Sequence, residues 1–249
     1  MRIHSLFSSS SGNSCLISTD KISILIDLGV SYKRLKEAMG DVEPEAVFIT
    51  HEHGDHISGA GVFGRKTGKS IYLPERCFME KQASFNKCDV IYHEAGTSTT
   101  LEDLKITSFS TKHDVADSVG YVIEDLSNGK KFGYLTDTGS FTRLIRHSLK
   151  GCDAYLLEAD YDTETLWGHH EYDIILKGRI DGPYGHLSNA QVLDFIDEDL
   201  DLDSVEWLMF GHLSSKTNNE ELLLSEANTR FPEHKDLFRI APTKEPLLL

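Results

Sequence analysis

Between Thr50 and His56 the chain reads Thr-His-Glu-His-Gly-Asp-His, directly behind the apolar run Ala46-Val47-Phe48-Ile49. Three imidazoles and two carboxylates so close together need a rigid scaffold that aims them at common points. His51 and His53 are two residues apart, so on an extended strand end both project to the same side. Gly54 allows the tight turn that brings Asp55 and His56 round. The run can therefore aim two pairs of ligands at two neighbouring cations, and imidazole mixed with carboxylate suits Zn, Fe or Mn. A solvated polar loop would account for a lone His-x-His. It does not account for four ligand-type side chains following an apolar strand.

The rest of the chain must supply that scaffold. Its 249 residues, 39% hydrophobic and 26% charged, are those of an ordinary globular protein, and no linker-like stretch divides them, so residues 1–249 read as one domain. Strands are expected at Arg2–Phe7, Cys15–Ser18, Ile22–Asp27, Ala46–Thr50 and Ser70–Leu73 in the first half. In the second half they are expected at Thr97–Leu101, Lys105–Ser110, Val119–Glu124, Lys131–Thr136, Ala154–Leu157 and Val205–Gly211. Asn128-Gly129 marks a hairpin. Helices are expected after Ser31, from Pro74 to about Asn86, over Thr142–Lys150 and Ile174–Ile180, from the capping box Ser188-Asn189-Ala190-Gln191, and from about Asn218 to Arg230. Strands cluster in both halves with helices between and after them. The expected architecture is α/β in four layers, two mixed sheets face to face with helices outside.

Charge and composition narrow the function. A formal charge of −15 argues against broad, non-specific nucleic-acid binding, although bound cations invert the local field beside a metal site. Between Gly64 and Cys88 the basic residues Arg65, Lys66, Lys69, Arg76, Lys81 and Lys87 outnumber Glu75 and Glu80, a candidate nucleic-acid track or a solvated face. No apolar run approaches a membrane span, and the N-terminus lacks the apolar core of a signal peptide. Cys15, Cys77, Cys88 and Cys152 are scattered, as reduced thiols of a cytoplasmic protein would be.

Further ligand candidates follow expected strands. These are His113 in Thr-Lys-His-Asp, Asp137 in Thr-Asp-Thr-Gly, and His212 at the end of Trp-Leu-Met-Phe-Gly-His. A two-metal centre needs such a set: three nitrogens or oxygens for each ion and a carboxylate between them. Asp27, ending Ile24-Leu25-Ile26-Asp27, reads either as a turn residue or as a carboxylate that orients a ligand histidine. The small-polar turn Ser8-Ser9-Ser10-Ser11-Gly12-Asn13-Ser14 can present donors to a ligand, Ser8, Ser11 and Asn13 among them. His186 precedes the capped helix at Ser188, whose N-terminus is expected to offer N–H groups to a phosphate.

His-x-His-x-Asp-His followed by His113, Asp137 and His212 closely resembles the metallo-β-lactamase fold, an αββα sandwich. Within that fold, Phe7–Ser14, Leu25-Ile26-Asp27-Leu28-Gly29, Ile49–Gly59 and Gly185-His186-Leu187-Ser188-Asn189 resemble the YycJ/WalJ-like exonuclease branch, related to tRNase Z and RNase J. The resemblance implies two divalent metal ions, one on His51, His53 and His113, the other on Asp55, His56 and His212, with Asp137 bridging. It implies a metal-bridging hydroxide positioned by Asp55 and Asp137, and His186, oriented by Glu158, assisting the leaving oxygen. The substrate implied is a nucleic acid, DNA favoured over RNA. The chain departs from the branch at Asp160-Tyr161-Asp162, where relatives carry Asn-His-Asp. Two other readings compete: a hydrolase of small phosphodiesters or thioesters with the same metal core, and a non-enzymatic metal-binding module. Intact ligand positions count against the second.

Overall fold

The computed structural model describes residues 1–249, arranged as two seven-stranded sheets. The first holds β1 (Arg2–Phe7), β2 (Ser14–Ser18), β3 (Ser23–Ile26), β4 (Ala46–Phe48), β5 (Ser70–Leu73) and β6 (Val90–Tyr92). The second holds β7 (Ser98–Leu101), β8 (Leu104–Ser110), β9 (Val119–Asp125), β10 (Lys131–Leu135), β11 (Ala154–Glu158), β12 (Trp207–Gly211) and β13 (Phe238–Ile240). β14 (Leu247–Leu248) crosses back to pair antiparallel with β1.

Each sheet starts as an antiparallel meander and continues in parallel. β1–β2–β3 are antiparallel, and β3–β4–β5–β6 parallel. β7–β8–β9–β10 are antiparallel, and β10–β11–β12–β13 parallel. Parallel neighbours need crossovers, and these supply the outer helices. The helices Tyr32–Met39 and Ala60–Thr67 bury Leu35, Met39 and Phe63 against Leu25, Val47 and Ile71 of the first sheet. Asn189–Asp199 and Glu220–Arg230 bury Phe195, Ile196 and Leu223 against Leu157, Leu208 and Phe210 of the second.

Strand alternation explains the layering. In β3, Ile24 and Ile26 face the space between the sheets while Leu25 faces helices; in β12, Met209 faces inward while Leu208 and Phe210 face helices. Central strands covered on both faces read as continuous apolar runs rather than alternating ones. Four layers, helix–sheet–sheet–helix, follow, as expected.

Two local expectations change. β4 ends at Phe48, so His51 and His53 stand on irregular chain beyond the strand. The turn at Gly54 is a short helix, Gly54–Ile57, whose winding directs Asp55 and His56 toward the site. In an open parallel sheet, side chains at the C-terminal strand ends converge on one edge. Here two such edges face one another.

Candidate metal centre

The chain leaving β3 carries Asp27, that leaving β4 carries Thr50 to His56, and that leaving β8 carries His113. The chains leaving β10 and β12 carry Asp137 and His212, and Glu158 is the last residue of β11. The ring nitrogens of His51, His53 and His113 lie within 4.8 Å of one another, as do the ligand atoms of Asp55, His56 and His212. Asp137 stands between the groups. Its Oδ2 is 3.1 Å from His56 Nε2, and its Oδ1 is 3.6 Å from His212 Nε2 and 3.8 Å from His113 Nε2. The structure thus brings together all seven residues expected to hold metal, in the two groups expected.

Buried polar atoms test whether a cation fits. His51 Nε2 and Asp137 Oδ2 are buried with no hydrogen-bond partner. Such an orphan costs about 1–3 kcal/mol unless something takes it. Imidazole nitrogens beside carboxylate oxygens are the donor set of divalent cations of the first transition row and zinc, so the residues fit. Electrostatics divide the histidines: against burial, the carboxylates Asp137 and Asp27 push His56 well up, Asp137 and Asp55 do the same to His212, and His51 and His53 shift down. Burial, helped by the His56 ring, pushes His51 well below the usual imidazole range, leaving the neutral form that ligates. Burial and His113 lower His53 as well. Burial alone would raise the Asp137 carboxyl, but the rings of His212 and His56 hold it well below the usual carboxylate range. Asp55 stays ionised in the same way, its burial outweighed by hydrogen bonding with His212 and His56.

A second ring of contacts fixes the first. Asp27 Oδ2 lies 2.7 Å from His56 Nδ1, and its Oδ1 accepts the Thr50 N–H at 2.8 Å, so Asp27 orients a histidine rather than merely turning the chain. Thr50 Oγ1 reaches both Asp27 and His51 Nδ1 at 3.0 Å. Asn13 donates its side-chain amide to Asp55 Oδ2 at 3.2 Å and its backbone N–H to Asp55 O at 2.8 Å. Ser8 Oγ accepts the His212 N–H at 2.8 Å. The Ser8–Ser14 turn therefore buttresses the centre more than it faces a ligand. Ser11 is exposed and meets only Ser9, while Ser10 lines the pocket.

His186 Nδ1 lies 2.6 Å from Glu158 Oε1, and the ring stacks on His212. Burial alone would lower His186, but the Glu158 carboxylate raises it to about 9, so the ring is cationic at neutral pH. Glu158 Oε2 accepts the Thr138 N–H at 3.0 Å, tying the pair to the Asp137 loop. The expectation for the neighbouring helix N-terminus is corrected. Ser188 is buried and its hydroxyl accepts the Gln191 N–H, Gln191 Oε1 accepts the Ser188 N–H, and the Asn189 N–H goes to Tyr161 O. Those donors are used within the fold, and Ser188 is a helix cap rather than a substrate contact.

The centre floors a cavity of about 250 Å³ walled by Tyr172, Leu176, Arg179 and Ile180. Arg179 pairs with Asp114, which lies 3.5 Å from His113 Nε2. Leu176, Arg179 and Ile180 stand on the helix expected over Ile174–Ile180, but sequence reasoning gives neither them nor Thr50 a role at the site. The position of Asp114 beside His113 was a usable signal; nothing local marks Arg179. The basic segment expected as a nucleic-acid track is set apart: none of Arg65, Lys66, Lys69, Arg76, Lys81 and Lys87 lines this cavity. Lys66 and Lys69 line another one beside Tyr32 and Met39.

A two-sheet αββα sandwich with paired histidine–aspartate clusters at its parallel strand ends defines a metallo-β-lactamase-type protein. Residues 23–198 match the family described as Beta-lactamase superfamily domain. The chain is 35% identical over 227 residues to Exodeoxyribonuclease WalJ of Streptococcus pneumoniae, covering 87% of this chain and 83% of that protein. It is 30% identical over 228 residues to Exodeoxyribonuclease YycJ of Bacillus anthracis, covering 87% and 84%. The metallo-β-lactamase fold protein YhfI of Bacillus subtilis shares the fold, with a TM-score of 0.75 over 99% of each chain at 17% identity. The chain belongs to the beta-lactamase superfamily and, within it, to the family of the WalJ and YycJ proteins.

Proposed function

We propose that this chain is a metal-dependent DNA exonuclease. The observation that carries the reading is the junction of the two ligand groups at Asp137, beside the His186–Glu158 pair, on the floor of an open pocket. The names of the WalJ and YycJ relatives support DNA as the polymer. His51, His53 and His113 would hold one divalent ion, and Asp55, His56 and His212 a second, with Asp137 shared. Bound there, Zn, Mn or Fe would supply Lewis acidity toward a phosphodiester and a nucleophile at neutral pH.

The chain's own residues do the rest. Asn13 holds the Asp55 carboxylate and Asp27 holds the His56 ring, so both would meet a bound ion without reorganising. His186, held through Nδ1 by Glu158, is placed to pass a proton to the departing oxygen from Nε2. Arg179 and Asp114 close one side, leaving a slot rather than an open surface. Four free cysteines, three of them buried, support a reducing cytoplasmic setting, and no helix is long and apolar enough to cross a membrane.

End-labelled single- and double-stranded DNA and RNA, incubated with the protein in Mn²⁺ and then Zn²⁺, test this directly. Stepwise loss of DNA label is expected, abolished in Asp137→Ala. His186→Ala should retain bound metal, measured by elemental analysis, and lose about 10²- to 10⁴-fold in turnover, the range for a positioned acid. A His186→Ala protein as fast as the parent removes His186 from the chemistry. Intact DNA under both metals, with turnover of a chromogenic phosphodiester, points instead to a small-molecule hydrolase.

A further inference from the structure

The first sheet ends in an open edge away from the metal centre. β6 has β5 as its one neighbour. The Ile71 N–H donates to Asp89 O and the His93 N–H donates to Leu73 O, so Asp89, Ile91 and His93 turn their backbone groups toward β5. Bonding direction alternates along such a strand, so Val90 and Tyr92 turn their N–H and C=O groups outward. Native edges are commonly blunted by Pro or by charged side chains. β6 carries neither: it is Val-Ile-Tyr, with Ile91 and Tyr92 38% and 48% exposed. By contrast β7, an edge of the other sheet, reads Ser-Thr-Thr-Leu.

Beside the β6 edge runs a groove of about 760 Å³, floored by Phe78, Phe85, Val90 and Tyr92. The Phe78 ring lies 6.2 Å from that of Phe85 and 5.7 Å from that of Tyr92. Met79, on the same helix Glu75–Lys81, is 61% exposed. The rim is basic. Lys87 lines the groove, and Lys81 adjoins the lining residue Gln82. Of the six basic residues between Gly64 and Cys88, Lys69 alone pairs with a carboxylate, that of Glu45. Lys81 and Lys87 are therefore exposed, unpaired cations on a chain of formal charge −15. The same stretch holds two carboxylates, Glu75 and Glu80, and Asp89 beside it accepts a hydrogen bond from Ser70 Oγ.

These features converge on one occupant. An open strand edge binds extended polypeptide, since a nucleic acid has no ladder of N–H and C=O groups to offer it. An apolar floor takes every second side chain of such a strand. Unpaired cations on the rim select carboxylates. A second copy of this chain would bring the same cations to the interface instead. We propose that β6 and its groove dock an extended acidic segment of a partner protein, which adds to the first sheet as an eighth strand. Its apolar side chains lie on Phe78 and Tyr92, and its carboxylates meet Lys81 and Lys87.

Fluorescence anisotropy with a fluorescein-labelled Asp-Glu-Asp-Val-Thr-Val-Thr-Phe peptide tests this, beside a counterpart carrying Lys-Lys-Lys in place of Asp-Glu-Asp. The full chain should bind the acidic peptide about tenfold more tightly or better, and added salt should narrow the difference. Tyr92→Pro removes an outward N–H and no bond to β5, a position where an edge strand tolerates Pro. It should abolish binding while the circular dichroism spectrum stays that of the parent. Lys87→Glu, an exposed change that serves should the first variant fail to fold, should weaken binding about 2- to 30-fold, two to three times the effect of losing one exposed pair on a free-energy scale. A parent that binds the acidic peptide no better than the lysine one, or binds neither, overturns the proposal. So does a folded Tyr92→Pro, or a Lys87→Glu, that binds as tightly as the parent. A parent dimer, seen by light scattering and dissolved by Tyr92→Pro, overturns it in favour of a second copy. A Lys87→Glu variant that loses affinity for duplex DNA and none for the peptide overturns it in favour of nucleic acid on the rim.

Discussion

Asp27 takes a positive φ of 60°, and so do Asp137 at 54° and His212 at 55°, three of the five non-glycine residues in that region. Left-handed backbone at a non-glycine costs on the order of 1–3 kcal/mol and persists only where surrounding contacts enforce it. Here it turns each side chain sharply off a strand end and into the centre. Asp27 shows what the strain achieves: both its oxygens are used, one on the Thr50 N–H and one on His56 Nδ1, which leaves His56 Nε2 facing Asp55 and Asp137. Asp27→Ala should therefore keep every proposed ligand yet loosen one of them, lowering metal affinity about 10- to 100-fold. Competition titration against a chromogenic chelator reads this directly. An unchanged affinity would mean that packing alone holds the His56 ring.

The elements most legible in the sequence are those whose local signals and tertiary surroundings agree. Ser31 and Ser188 cap helices as expected, and Thr142, expected as the first residue of its helix, is its cap, because a side-chain oxygen at an N-cap is a local event. The strands delivering ligands were visible as apolar runs, and the ligands as the polar residues ending them. Elements stabilised mainly by their neighbours were not visible: β13 and β14 are too short to show a period, and β6 is a half-exposed edge strand. The helix Thr163–Gly168 is also not visible, its six residues being too few to show a period, whereas the wall residues Leu176, Arg179 and Ile180 stand on the helix expected over Ile174–Ile180. His93, just beyond β6, makes the same point energetically. Its ring is buried among Phe48, Tyr72 and Tyr121, and neither nitrogen has a hydrogen-bond partner. Burial lowers its pKa below 6.5, so the native state refuses a proton that the unfolded chain accepts. Stability is accordingly full above about 6.5 and falls as pH drops below it. His93→Leu should flatten that decline, read as the denaturant midpoint at pH 7 and pH 5. An equally steep fall in the variant would show that His93 is already protonated in the fold.

At the scale of the whole molecule the candidate centre joins the two sheets by polar groups, as the Thr19–Asp103 and Tyr121–Ile49 hydrogen bonds do elsewhere. His51, His53, Asp55 and His56 come from the first sheet, and His113, Asp137 and His212 from the second. Each proposed ligand group draws on both, so a bound cation cross-links the sandwich at its open edge. Ligand binding to the native state alone adds about 4 kcal/mol at a thousandfold excess over Kd. For a chain of this length each kcal/mol moves the midpoint by about 2–4 °C, so chelation should lower Tm by about 8–16 °C. Adding Mn²⁺ or Zn²⁺ back should restore it. Asp137→Ala, which deletes the ligand proposed to be shared, should show a much smaller shift because neither group keeps its full set. Scanning calorimetry of parent and variant, with and without EDTA, gives all four midpoints. A parent that binds two equivalents of metal with no change in Tm would mean that the unfolded chain binds them as tightly, and that the ions do not hold the two sheets together.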